Sequence, residues 1–221
     1  MTLGAANVLS DSSAVSIASG ALLSMGAYAD TIGALSGSGN VNRTSTNALT
    51  ILNNTDATFA GVINGSGTVT KLGTGIQRFT GTNSYTGATT VSAGTLSSSV
   101  EGINASSGIS VSSGAFMAFD QAADGTYAKV VSGAGNLIKS GSALLVLAGS
   151  NTFTGTTYVN AGTLALGLAN RLADTSDLTV NDGVFAIGTL SETVDIVTLK
   201  GGIISGTTGT LTGSSYLFEN G

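Results

Sequence analysis

The chain repeats itself at a fixed offset, and this limits its possible folds more than any other feature. Shifted by 68 residues, Gly65-Ser66-Gly67-Thr68-Val69-Thr70-Lys71 falls on Gly133-Ala134-Gly135-Asn136-Leu137-Ile138-Lys139, and the register then holds without a gap. Further on, Tyr85-Thr86-Gly87-Ala88-Thr89-Thr90-Val91-Ser92-Ala93-Gly94-Thr95-Leu96 falls on Phe153-Thr154-Gly155-Thr156-Thr157-Tyr158-Val159-Asn160-Ala161-Gly162-Thr163-Leu164. Leu35-Ser36-Gly37-Ser38-Gly39-Asn40-Val41 repeats the opening of the same unit, and a second kind of unit links Asn7 to Ser13 with Asn170 to Ser176. Self-similarity of this kind marks repeat architectures, in which each unit buries its apolar face against its neighbours.

Within the units the pattern is that of strands. Leu145 and Leu147, like Val159 and Ala161, alternate with smaller or outward positions in short runs punctuated by Gly. Helix is disfavoured, because Thr, Val, Ser and Gly dominate the runs and each interior Gly would cost a helix about 1 kcal/mol. Gly87, Gly94, Gly155 and Gly162 follow the runs and are expected to turn corners at positive φ. Corners at this spacing predict a coil with rungs of roughly 20 to 25 residues and two or three strands each. About nine to eleven rungs would form a rod on the order of 45 Å long. A sandwich needs hairpin turns, for which Asp124-Gly125 and Asp182-Gly183 are the good candidates. The expected fold is therefore all-β, a parallel β-solenoid over residues 1–221 as a single domain. Its repeat units fall at about 63–96 and 131–164, and its spacer units at about 6–35 and 169–197.

Composition agrees with stacked rungs. Thirty-three Gly, no Pro, 9% charged and 42% hydrophobic residues leave the surface to Ser, Thr, Asn and Gly. Disordered chains show the opposite balance of charge and hydrophobicity. Stacking would pair the backbone of each rung with those above and below it.

The residues Gly65 to Leu96 and Gly133 to Leu164 resemble the passenger-associated β-strand repeat of bacterial autotransporters. Its pattern is a Gly-x-Gly opening, a Lys-x-Gly step, then Asn-x-Tyr-x-Gly and Ala-Gly-Thr-Leu. Gly65, Gly67, Lys71, Gly73, Asn83, Gly87, Ala93, Gly94 and Leu96 occupy those slots in the first copy. Gly133, Gly135, Lys139, Gly141, Asn151, Gly155, Ala161, Gly162 and Leu164 occupy them in the second. The resemblance implies a right-handed, single-stranded parallel β-helix, exported to the extracellular side or the outer-membrane surface of a bacterium by a β-barrel outside this chain. Gln77 departs from the pattern, standing where the family has an inward aliphatic residue, and is expected to form a buried amide pair or to mark an altered rung. Ala143 stands in the slot of Gly75.

Chemistry is sparse. The absence of His and Cys removes Ser-His-Asp triads, Cys-His pairs, most zinc sites and disulfides. Asn54-Thr55-Asp56 is similar to a short motif of β-helix polysaccharide hydrolases, but the accompanying Asp pair, His and Arg-x-Lys are missing. Asp174, Asp177 and Asp182, and Asp120 with Asp124, read as solvated turn carboxylates rather than Ca²⁺ ligands, having neither EF-hand nor β-roll spacing. No catalytic, cofactor or metal residue is expected. Lys71 and Lys139 are expected to cover a solenoid edge with their stems rather than to line up as a functional row. Tyr85, Phe153, Phe59 and Phe79 read as core or corner fillers. Phe116, Phe119 and Tyr127 lie in the irregular stretch Ser97 to Val130, where they interrupt the repeat, and are the better candidates for binding.

A net charge of −5 without a basic run excludes nucleic acid. Met1 to Ser10 lacks the pattern of a signal peptide and no apolar stretch reaches eighteen residues, so a mature segment that does not itself insert in a membrane is expected. The expected function is a non-catalytic extracellular scaffold, a surface-displayed passenger segment acting as adhesin or spacer. Its partners would be itself or neighbouring solenoid sequence at the terminal rungs, with host-surface or glycan contact. The alternative is a fibre subunit stacking head-to-tail through open rungs, and a more distant one is a polysaccharide-active enzyme.

Overall fold

In the computed structural model, which describes residues 1–219, the short runs become strands and every strand pairs in parallel with the one a full turn away. One turn takes 18 residues from Leu22 to Asn40, 19 from Asp30 to Leu49 and 22 from Ile109 to Val131. The coil makes about ten turns. Each complete turn crosses three faces.

The second face is continuous, an eleven-stranded sheet from Val15–Ile17 to Ser215–Glu219. The first face, which precedes it in each turn, holds six strands from Asp30–Ile32 to Val131–Gly133. It resumes as the pair Ser191–Thr193 and Thr210–Thr212. The third face holds the pair Leu22–Gly26 and Asn40–Arg43, then five strands from Gly125–Tyr127 to Ile203–Gly206.

Alternate residues of each strand point into the coil and stack in rows. One such row on the second face reads Phe59, Phe79, Ser98, Phe119, Lys139, Val159 and Val180. Asp124-Gly125 makes no hairpin. Gly125–Tyr127 pairs in parallel with Leu144–Leu147, and Asp124 Oδ1 accepts from Leu144 N on the next turn.

The stretch Ser97 to Val130 is regular, contrary to the sequence reading. It contributes strands Ile109–Val111, Phe116–Asp120 and Gly125–Tyr127 in step with the rest, and departs from the pattern only in one helical turn, Val100–Ile103, on the third face. Ser99 caps that turn, its hydroxyl accepting from Gly102 N.

The two copies of the repeat occupy different faces. Three turns carry Val69 through Thr89 and Ile109 to Val131, whereas its 68-residue equivalent is Leu137, in the second-face strand Asn136–Ser140. The second copy is thus advanced by three turns and one face. Lys71 stacks between Ile51 and Val91 on the first face, and Lys139 between Phe119 and Val159 on the second. They form no common row. The spacer units differ in this respect: Asn7 and Asn170 both precede a second-face strand by one passage, and with φ of 52° and 55° they are the described non-glycine residues at positive φ.

Candidate functional site

The side chains that define the repeat face inward and bond the backbone of adjoining turns. Lys71 and Lys139 are fully buried, which corrects the expectation that they cover an edge. Lys71 Nζ donates to the carbonyls of Leu72, Gly73 and Ala93 at 2.6, 2.8 and 3.2 Å. Lys139 Nζ donates to those of Ser140, Gly141 and Ala161 at 2.7, 2.7 and 3.0 Å. The third acceptor lies on the following turn, so each ammonium ties two rungs together. Burial pushes Lys71 down to about 8 and lowers Lys139, with Asp120 pulling the latter back. The three carbonyl dipoles supply the negative end that a buried ammonium needs.

Asn83 and Asn151 act where the strand ladder lapses. Asn83 Oδ1 accepts from Ile63 N and its Nδ2 donates to Gly102 O, both at 2.8 Å. Asn151 Oδ1 accepts from Val131 N and its Nδ2 donates to Arg171 O, both at 2.9 Å. Each amide therefore spans the turn above and the turn below, doing the task of a missing ladder residue. The first copy places this break on the third face and the second copy on the first face. These are the two faces whose sheets are discontinuous.

Repeat-position glycines divide into two kinds. Gly65, Gly73, Gly94, Gly133, Gly141 and Gly162 have φ between 62° and 101°. Gly67, Gly87, Gly135 and Gly155 do not, and the expected positive φ at Gly87 and Gly155 is corrected. A Cβ at these four would sit 1.8 to 2.4 Å from a carbonyl oxygen of the preceding turn, so they are required for close approach. Leu96 and Leu164 fill the core, on the second and third faces respectively. Tyr85, Phe153, Phe59 and Phe79 are core residues, as read. Phe119 and Tyr127 are buried too, with ring centroids 5.1 Å apart, and so are not binding residues. Their place in a regular rung turns them inward; Phe116 faces out.

Other staples carry little sequence signal. Gln77 forms no amide pair: past Ala57, it accepts from Leu35 N at 3.3 Å and donates to Leu35 O at 2.9 Å, two turns back. Gln121 Oε1 accepts from Val100 N at 2.8 Å, at the start of the helical turn. Asp30 Oδ2 accepts from Val8 N and Leu9 N, and Glu192 accepts from the matching pair, Arg171 N and Leu172 N. Burial raises the Glu192 pKa, while those two N–H groups and that of Asn170 oppose it and Asp174 adds to it. The equivalence of Asn7 to Ser13 with Asn170 to Ser176 was the signal that could have located both carboxylates. Arg43 is buried with its guanidinium carbon 5.5 Å from the centre of the Tyr85 ring, and donates to Thr68 O at 2.7 Å and Asn64 O at 3.1 Å.

The surface carboxylates brace corners. Asp177 Oδ1 accepts from Ile196 N, Asp56 Oδ1 from Ile76 N, and Asp56 also pairs with Arg78 at 3.3 Å. Asn54 Oδ1 accepts from Thr74 N. Among the described residues no three acidic side chains gather where they could hold a metal. No described helix is long and apolar enough to cross a membrane.

A coil of this kind, three-faced, parallel and stapled through its interior, defines a β-solenoid repeat protein. The passenger-associated-transport-repeat family matches the chain twice, at residues 69–97 and 137–166. The chain carries two such repeats on a β-solenoid, as an autotransporter passenger repeat protein does. No curated protein and no solved structure matches it. The family implies a surface or extracellular location and a structural repeat rather than a catalytic domain.

The two copies differ informatively at one interior position. Tyr85 Oη lies 2.7 Å from Thr89 Oγ1, which lies 2.9 Å from Ser106 Oγ. Phe153 offers no hydroxyl, and Thr157 Oγ1, equivalent to Thr89, is buried without a partner among the described residues. Phe153→Tyr should therefore raise the stability by about 1 kcal/mol in urea unfolding, and Thr157→Val in the same background should cancel the gain. Asn151→Ala should cost about 1 to 3 kcal/mol, since it strands the Val131 N–H, while the Arg171 carbonyl keeps the backbone N–H of residue 151 at 3.3 Å.

Proposed function

We propose that this chain is a non-catalytic length of a surface-displayed passenger, a stiff rod that spaces or presents neighbouring sequence outside the cell. The observation that carries this reading is the direction of the repeat-defining side chains. Lys71, Asn83, Tyr85 and Leu96, like Lys139, Asn151, Phe153 and Leu164, all point inward and hold rungs together. The repetition therefore preserves a coil rather than a surface, and repeat proteins of this kind offer the length of the array as their useful property. Contact with a host surface is part of the same reading.

The second reading, a fibre built by head-to-tail stacking, is favoured by Ser215–Glu219. Among the described residues this strand pairs with Ile196–Lys200 alone, and its Tyr216, Leu217 and Phe218 are exposed. Adjoining solenoid sequence in a longer chain would cover the same edge.

Electron microscopy of the purified chain over a range of concentrations tests both readings. The rod reading predicts single particles about 50 Å long, ten rungs at about 4.8 Å. Filaments lengthening with concentration would favour the fibre, and compact spheres would contradict both.

A further inference from the structure

The outer side of the second face carries a row unlike its surroundings. Along the register it runs Arg78, Ser97, Ala118, Ile138 and Tyr158, one residue per turn at about 4.8 Å. Phe116 stands beside it, its ring centroid 6.5 Å from that of Tyr158 at a tilt of 43°. Both rings and Ile138 are half-buried and form a narrow apolar strip, while Ser97 and Ala118 in the same row are buried. At the Arg78 end the strip meets a cavity of about 290 Å³ lined by Arg78, Thr80, Ser97, Ser99 and Asp120.

We infer that this row binds an extended oligosaccharide lying along the solenoid axis. A pyranose ring presents C–H groups on its faces and hydroxyls around its edge, so it needs an apolar plate flanked by donors and acceptors. Phe116, Ile138 and Tyr158 form the plate, while Arg78, Ser99 and Asp120 supply polar groups of both kinds at its end. Each ring of a straight glycan advances by nearly the height of one rung, so successive sugars keep step with successive turns. The cavity takes one ring at the end of the chain. A second copy of the rod is a poorer occupant, because a chain of net charge −5 repels itself and the strip is only two aromatics wide. The inference rests on the rod being displayed where it meets polysaccharide.

Cellohexaose, a straight β-linked probe, should give saturable chemical-shift changes in a two-dimensional NMR titration, centred on Ala118, Ile138 and Tyr158. Tyr158→Ala and Asp120→Ala should each weaken binding about tenfold. Ser110→Ala, on the outer side of the first face, should leave it unchanged. Maltohexaose, which curls, should bind more weakly. Absence of saturable shifts with cellohexaose and chitohexaose alike, or affinity indifferent to Tyr158→Ala, overturns the inference. So does concentration-dependent self-association that Tyr158→Ala removes, which would assign the strip to contact between rods. Solution scattering on the same samples separates the two proposals: a rod of the expected length that fails to bind overturns the glycan site alone, and a chain that is no rod overturns both.

Discussion

Everything in this structure depends on the hydrogen bonds between one turn and the next. A parallel coil has no hairpins, and its three faces exist only through pairing between successive turns, so each rung is held by its neighbours, and wherever the ladder lapses a buried N–H or C=O must find another partner. The chain meets that demand with inward-pointing polar side chains. Asn83 and Asn151 each join a donor on one neighbouring turn to an acceptor on the other. Lys71 and Lys139 gather three carbonyls at a corner, and Asp30 and Glu192 each collect two adjacent amides. An unpartnered buried amide costs about 1 to 3 kcal/mol, so these few residues weigh more than their number suggests.

Because these bonds are made within a unit and to the turns directly beside it, the unit does not depend on which face it starts from. This explains how 68 residues can be a faithful repeat without being a whole number of turns. The second copy begins one face further round, and the break that its Asn bridges moves with it, from the third face to the first. The second face receives regular strands from both copies and alone remains unbroken over eleven strands. That continuity gives the outer row through Ala118 and Tyr158 its regular spacing.

The strand pattern, the solenoid and the inward aromatics were legible in the sequence because alternation and Gly-marked corners are local. The sequence reading placed Lys71 and Lys139 on an edge since Lys is seldom buried, and the acceptors that hold it are backbone atoms whose identity no residue letter records. It took Ser97 to Val130 for an irregular insertion because the repeat motif fades there. The structure keeps the motif's spacing without its letters: Phe119 and Tyr127 sit at inward positions and are core. The one-face advance was hidden for a different reason. A gapless repeat fixes the length of the unit, while the length of a turn is fixed by which strands pair, and only the second relates a residue to a face.

The most direct test of the account is disulfide cross-linking, which is unambiguous in a chain that has no cysteine of its own. With Cys introduced at Ala118 and Ile138, outward neighbours on the second face, mild oxidation should form the bond, since parallel partners lie within the Cα separation a disulfide spans. With Cys at Ser110 and Ile138, on different faces, the thiols should remain free. If Ser110 and Ile138 cross-link while Ala118 and Ile138 do not, the two copies stack on one face and the account is wrong.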